Sequence, residues 1–294
     1  METADVGRAI GAAAAVASAL GLAAEDAVVL HSSNKLALRL TPCDVLARVT
    51  RSEPEARLEL QRARRLAEAG CPVGAPEPRV DPVVHRRDSF AVTLWTYYPP
   101  VTPAVSPGNY AGALERLHAG MREVEMPSPR FTDRVGEAQH VVGDPGRSPE
   151  LTDDDRVLLV SRLGELRRRI DLHGPVEQLL HGEPHPGNLL ATEDGPLFID
   201  FETSCRGPVE FDLAHVPESV CEHYPDLDHQ LLDDCRQLVL AMVAAWRWEL
   251  GDEFPNRRRW GQELLRALRE GPPWPTLDAM AERFPAPESS PRER

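Results

Sequence analysis

Between positions 181 and 202 the chain gathers carboxylates, an amide and imidazoles, the side chains that serve phosphate and metal chemistry. The first run is His181-Gly182-Glu183-Pro184-His185-Pro186-Gly187-Asn188, and the second is Ile199-Asp200-Phe201-Glu202. Two prolines and two glycines in the first run exclude a helix, so a loop is expected there. Carboxylate and amide oxygens are hard ligands, suited to Mg2+ that keeps several waters and also binds phosphates. Asn188 and Asp200 are therefore candidate metal ligands, and Glu183 is a candidate for orienting an attacking hydroxyl. His181 and His185 have the spacing of a two-histidine zinc motif, but Pro184 and Pro186 remove the helix that motif needs. His181 is expected to hold the loop through hydrogen bonds.

These residues work together only if the chain returns on itself. Two apolar runs flank Thr192-Glu193-Asp194-Gly195-Pro196, a turn signal that predicts a β-hairpin and would bring Asn188 and Asp200 side by side. Upstream, Val28–Leu30, Lys35–Leu40 and Val45–Val49 are short β-compatible runs separated by turn residues. A charged helix is predicted over 53–69, ended by Gly70, and another β-compatible run over 90–98. The apolar, Ala-rich stretch 9–24 follows Glu2 and Asp5 and has no basic lead-in, which predicts a surface helix and not a signal peptide.

After the prolines at 99–107 the pattern turns helical, with Asn109–Met121 read as a helix. Thr152 followed by Asp153, Asp154 and Asp155 is a helix start, with acids at the positive end of the dipole. Leu159, Leu163, Leu166 and Ile170 recur at helical spacing, as do Leu231, Cys235, Leu238, Met242 and Trp246, and both stripes read as packed core. The acids Asp226, Asp228, Asp233 and Asp234 read as a solvated helix start.

Charge and cysteines narrow the classes of function. Thirty-three basic residues against 47 acidic ones leave a net charge of −14, which excludes general nucleic-acid binding and is compatible with a cationic substrate. The five cysteines are scattered and form no CxxC pair, which suits free thiols in a reducing cytoplasm. No stretch approaches the length and apolarity of a membrane span.

The segment from His181 to Glu202 resembles the aminoglycoside phosphotransferase family, which is itself similar to choline kinases and, at greater distance, to protein kinases. The family pattern is His-Gly-Asp, four residues, Asn, then a hairpin and an Ile-Asp-aromatic-acid segment. This chain has His181-Gly182-Glu183, Asn188 and Ile199-Asp200-Phe201-Glu202. The resemblance runs from about residue 25 to residue 250 and is strongest over 180–214. It implies that Asn188 and Asp200 hold Mg2+ against nucleotide phosphates, that Glu183 occupies the catalytic-base position, and that Asp212 braces the catalytic loop. It further implies a polar loop over the phosphates at Ser33 and Asn34, a phosphate-contacting strand base at Arg48 and its ion-pair partner at Glu59. Trp95, Tyr97 and Tyr98 fall at the inter-lobe hinge, whose backbone would face adenine, and Leu117-His118 matches a recurring pair in the first helix after it. Two residues depart from the pattern: Glu183 is one methylene longer than the usual aspartate, and Arg48 stands where kinases have lysine.

The expected fold is therefore α+β, two-lobed and protein-kinase-like. A sheet-containing nucleotide-binding lobe is expected over 1–97, a mainly helical lobe with the catalytic loop and acceptor site over 98–285, and a disordered tail over 286–294. The expected activity is transfer of the γ-phosphate of ATP or GTP, with Mg2+, to a hydroxyl of a small metabolite or an aminoglycoside-like antibiotic. The longer acid at 183 raises one alternative, a nucleotide-binding protein that has lost catalysis.

Overall fold

The computed structural model describes residues 3–32 and 35–283. Ser33, Asn34 and the tail 286–294 lie outside the described residues. Contacts divide the chain into two compact units, one of 1–126 with 188–203 and the other of 127–187 with the chain from 204 onward.

The first unit opens with helix α1 (Thr3–Ala19), then strands β1 (Ala24–Ser32), β2 (Leu36–Pro42) and β3 (Val45–Thr50). Helix α2 (Glu53–Glu68), the short strand β4 (His85–Arg87), strand β5 (Phe90–Thr96) and helix α3 (Pro107–Glu123) follow. The five strands form one antiparallel sheet in the order β1-β2-β3-β5-β4. Period-2 alternation buries Leu36, Leu38 and Leu40 of β2 and Val45, Ala47 and Val49 of β3 on one face. Helix α1 covers that face: Ala9, Ala12, Ala13, Val16 and Ala17 are buried against the sheet. The expected surface helix is thus a core element, because alanines let its backbone lie close to a sheet face that would otherwise meet water.

Helix α2 begins after Ser52 with a proline in its first turn and Glu53 and Glu55 at its positive end. It stops before Gly70, whose φ of +73° favours glycine. Its buried face carries Ala56, Leu60, Ala63 and Leu66, and also Glu59 and Arg62.

Also in this unit is the predicted hairpin, but its place in the element order comes after three elements of the second unit. Those are helices α4 (Phe131–Gly143) and α5 (Asp153–His173) and strand β6 (Gln178–Leu180). The hairpin strands are β7 (Leu189–Thr192) and β8 (Gly195–Phe198), paired antiparallel from Leu189–Phe198 to Thr192–Gly195. Phe198 is fully buried, its N–H donates to Pro72 O at 2.9 Å, and its carbonyl accepts from Gly74 N at 2.8 Å. A Cβ at position 74 would lie 3.0 Å from Ile199 Cγ2, so glycine lets that strand end come close.

The second unit continues with strand β9 (Cys205–Gly207), the short helices α6 (Val209–Leu213) and α7 (Glu218–Cys221), and helices α8 (His229–Arg247), α9 (Arg257–Glu270) and α10 (Leu277–Arg283). Helices α4, α5, α8 and α9 pack on one another, and β6 pairs antiparallel with β9. Thr152 caps α5 by accepting from Asp155 N at 3.2 Å, as the sequence predicts, and Gly174 closes it at φ +59°. Leu159, Leu163, Leu166 and Ile170 are buried, and so are Leu231, Cys235, Leu238 and Met242. Trp246, read as the end of that second core stripe, is instead partly exposed and lines a cavity. Among the described residues, no helix is long and apolar enough to cross a membrane.

Candidate active site

In the first unit a cluster of charge forms where β2, β3, α2 and the end of the hairpin converge. Glu59 projects from the buried face of α2, and one carboxylate oxygen from each of Glu59, Asp200 and Glu202 lies within 4.8 Å of the others. Three carboxylates this close repel one another unless cations sit among them. Two do. Arg48 of β3 pairs with Glu59 and reaches Asp200 at 3.6 Å. Lys35, just before β2, reaches Glu59 at 3.1 Å and Asp200 at 3.3 Å and also pairs with Glu202.

The segment carrying Asp200 is fixed by backbone contacts. Ile199 N donates to Asn188 O at 3.0 Å, so the hairpin ladder extends to the residue before Asp200. Arg62 of α2, 2% exposed, donates to the carbonyls of Phe201 at 2.7 Å and Glu202 at 2.8 Å. Asp200 adopts a φ of +69°, a left-handed conformation that aspartate tolerates better than most residues. Such backbone persists where the surroundings over-determine it, and the Asn188 and Arg62 contacts do so here.

The resemblance pointed to Arg48, Glu59, Asp200 and Glu202, and the structure brings all four together. Asn188 stands at the foot of the same hairpin. Lys35 and Arg62 were missed. Arg62 left a signal, since a second charged residue beside Glu59 on the apolar stripe of α2 must have a buried partner. Lys35 left none, because its partners are far away in sequence.

The carboxylate oxygens of this cluster are hard donors that fit a small divalent cation, and Asp200 and Glu202 are partly exposed. Lys35 and Arg48 beside them suit phosphate oxygens, the ammonium as a point charge and the guanidinium as a fork. The aromatic residues of the expected hinge are held at the end of β5. Trp95 is buried and donates its indole N–H to Thr93 Oγ1 at 2.8 Å. Tyr98 accepts at its hydroxyl from Ala75 N at 3.3 Å, and the Arg39 guanidinium lies 4.5 Å from the Tyr97 ring centroid.

The second unit holds the loop that begins at His181. Gly182 has a φ of +93°, a conformation that glycine adopts without strain. His181 N donates to Asp212 Oδ2 at 2.9 Å and Gly182 N to Asp212 Oδ1 at 2.8 Å. Asp212 is fully buried and holds this turn through both carboxylate oxygens. His181, also fully buried, accepts at Nδ1 from Glu183 N at 3.3 Å, a structural role like the one its sequence context predicts.

The Glu183 carboxylate pairs with Arg134 of α4, which also donates to Gly182 O at 3.1 Å. The Arg134 guanidinium carbon lies over the Trp246 ring, 5.1 Å from its centroid. Burial pushes the Glu183 carboxyl upward, but Arg134 and His215 hold it below the usual carboxylate value. His215 itself is pushed down to about 4, chiefly by burial. Its Nδ1 lies 2.9 Å from Phe211 O, and because a carbonyl only accepts, that nitrogen carries the proton. Beyond Trp246 a cavity of about 630 Å³ is lined by Asp133, Glu137, His140 and Glu249 among others. An ionised carboxylate on a braced turn can accept a proton from a hydroxyl.

Comparisons with known proteins follow the same lines. The model of the phosphotransferase enzyme family matches residues 27–234. No curated protein sequence matches. Among solved structures, the amicoumacin kinase hAmiN in complex with AMP-PNP, Ca2+ and Ami is similar at a TM-score of 0.67 and 14% identity, over 92% of this chain and 96% of that one. A choline/ethanolamine kinase family protein from Mesorhizobium loti is similar at 0.67 and 18% identity, over 90% of this chain and 95% of that one. A GDP and kanamycin complex of an APH(2") protein is similar at 0.64 and 16% identity, over 85% and 93%. At such identities these likenesses show the fold, which is the two-lobed, kinase-like one that the sequence led us to expect.

Proposed function

The chain belongs to the phosphotransferase enzyme family, and from that membership we propose that it transfers the γ-phosphoryl group of ATP or GTP, with Mg2+, to a hydroxyl of a small molecule. The observation that supports this most directly is the convergence of Lys35 and Arg48 on Glu59, Asp200 and Glu202. Phosphoryl transfer depends on positioning and charge stabilisation more than on covalent chemistry by the protein, so it calls for cations held in place beside hard anionic donors.

In this reading Lys35 and Arg48 bind phosphate oxygens of the nucleotide, and Glu59 keeps both cations in place. Asp200, with Asn188 and Glu202, would hold Mg2+, which when bound neutralises charge on the phosphates. The backbone at Trp95, Tyr97 and Tyr98 receives the base. Glu183 accepts the proton of the acceptor hydroxyl as its oxygen bonds to the γ-phosphorus. The bond from that phosphorus to the β–γ bridging oxygen breaks, and the nucleoside diphosphate leaves with its electron pair. His181 and Asp212 keep the Glu183 turn in shape. The extra methylene of Glu183 is compatible with this role, because what is asked of the acid is chiefly to orient the hydroxyl.

The acceptor is a small hydroxyl compound, a metabolite in the first place and an aminoglycoside in the second. The net charge of −14 is compatible with a cationic one. Nucleotide consumption measured over panels of sugars, amino alcohols and aminoglycosides tests the reading, with Asp200→Ala as the control. That variant is expected to lose Mg-nucleotide binding and turnover, and turnover unchanged in it would refute the assignment. Binding of Mg-ATP by the wild type without turnover on any acceptor would leave a nucleotide-binding protein in place of an enzyme.

A further inference from the structure

We propose that Arg134 is a positioning residue for Glu183, holding the longer acid at the point where it meets the acceptor hydroxyl; this rests on the phosphotransferase reading given above. The backbone N–H groups of the turn are held without Arg134. His181 N and Gly182 N are held by Asp212, and Glu183 N by His181 Nδ1. What those bonds leave unset is the direction of a side chain with one more rotatable bond than aspartate. Arg134 sets it. One guanidinium takes both the Glu183 carboxylate and the Gly182 carbonyl, so it fixes the side chain relative to its own backbone.

The guanidinium is itself held firmly. Its side chain is 11% exposed, and its guanidinium lies over the ring of Trp246 of α8. A planar fork placed over an aromatic ring and held by two hydrogen bonds has less freedom than an exposed lysine–carboxylate pair. Other charged or titratable groups around Glu183 include His185 on its own loop, His215 after α6 and Arg247 of α8. His215 is neutral above about pH 4, and Arg247 is engaged by Asp252 at 3.4 Å. Arg134 pairs directly with the acid.

The test is a double-mutant cycle on Arg134→Met and Glu183→Asp, with Arg134→Lys as the conservative variant. Slow hydrolysis of Mg-ATP, with water as the acceptor, provides a probe that needs no identified substrate. Arg134→Met is expected to lower kcat by roughly 10- to 100-fold, the scale of a misplacement near 1 Å, while the KM for Mg-ATP stays within about twofold. The acidic limb of its kcat profile is expected to move to higher pH, because the cation that favours the ionised acid is gone. Arg134→Lys should recover part of the loss. In the Glu183→Asp background, where the shorter acid has already left the guanidinium, removing Arg134 should cost under about threefold. Equal losses in both backgrounds, or an Arg134→Met enzyme with wild-type kcat and pH limb, would overturn the proposal. If Arg134→Met does not fold, Arg134→Lys carries the test, and a lysine variant with unchanged kcat and pH limb would likewise overturn it. Wild-type protein that never turns over Mg-ATP defeats the phosphotransferase reading and the positioning role with it, whereas normal wild-type turnover with an indifferent Arg134 defeats the positioning role alone.

Discussion

His215 shows how strongly the interior of the second unit controls ionisation. Its ring is buried, bonds to Phe211 O and meets the Phe211 ring edge-on with centroids 5.2 Å apart. Burial lowers its pKa from 6.5 to about 4, so between those values the unfolded chain binds a proton that the folded one refuses. Stability is therefore complete above about pH 6.5 and falls as the pH drops toward 4, by about 2 kcal/mol between pH 7.5 and 5. Urea unfolding of His215→Gln at both pH values is expected to show a smaller drop than the wild type, since glutamine can still donate to Phe211 O but does not titrate. A drop of the same size in the variant would mean that other groups govern the acid limb. Glu183 acts lower down, because Arg134 and His215 outweigh its burial and keep it ionised below the ordinary carboxylate range.

Among the elements, the hairpin of β7 and β8 has the most consequence for the site, because both of its outer ends carry candidate ligands. It is short, and two strands alone are marginal in water. Phe198 fastens it: the ring is fully buried, tilted against Tyr110 of α3 at 5.9 Å, and its backbone pairs with Pro72 and Gly74. Phe198→Ala should cost about 3–5 kcal/mol of stability and also weaken Mg-ATP binding, although the ring is not proposed to touch the nucleotide. Chemical denaturation and calorimetric titration of the variant read the two effects separately. A stability loss with nucleotide affinity unchanged would show that the Asp200 segment is placed by Arg62 and α2 without the hairpin. Helix α2 contributes through its buried charges, Glu59 toward the cations and Arg62 toward the Phe201 and Glu202 carbonyls. Charged groups buried in this way stay only where partners offset their desolvation, so α2 is tuned to the segment it grips.

For the whole molecule, the proposed function has a thermodynamic signature that needs no acceptor. A ligand that binds only the folded chain stabilises it by about 2.7 kcal/mol at a hundred times its Kd. Thermal melting with saturating Mg-ATP is therefore expected to shift upward by several degrees in the wild type. Asp200→Ala should show almost none of this shift, and Mg2+ withheld with EDTA should shrink it in the wild type. Identical melting curves with and without Mg-ATP would argue against nucleotide binding altogether. The surplus of acids over bases, 47 against 33, sets the field that a charged acceptor meets on approach.

The sequence alone determined whatever is written in neighbouring residues. Alternation in 36–40 and 45–49, the stripe at 159–170, the cap at Thr152 and the turn at 192–196 each follow from local stereochemistry, and each element formed where it was expected. The run His181–Asn188 with Ile199–Glu202 was legible for the same reason, and it carried the family resemblance. Tertiary structure alone decided which distant side chains meet. Lys35 and Asp200 are 165 positions apart, Arg62 and Phe201 139, and Arg134 and Glu183 49. No local spacing records such pairs, because they depend on how sheet, helix and hairpin pack. Packing also turned the alanine helix α1 from an expected surface element into a lid on the sheet core, and left Trp246 at a cavity rim under the guanidinium of Arg134. An element's shape is set by short-range backbone and side-chain preferences, whereas the partner of a charge is set by whichever buried surface must offset its lost hydration.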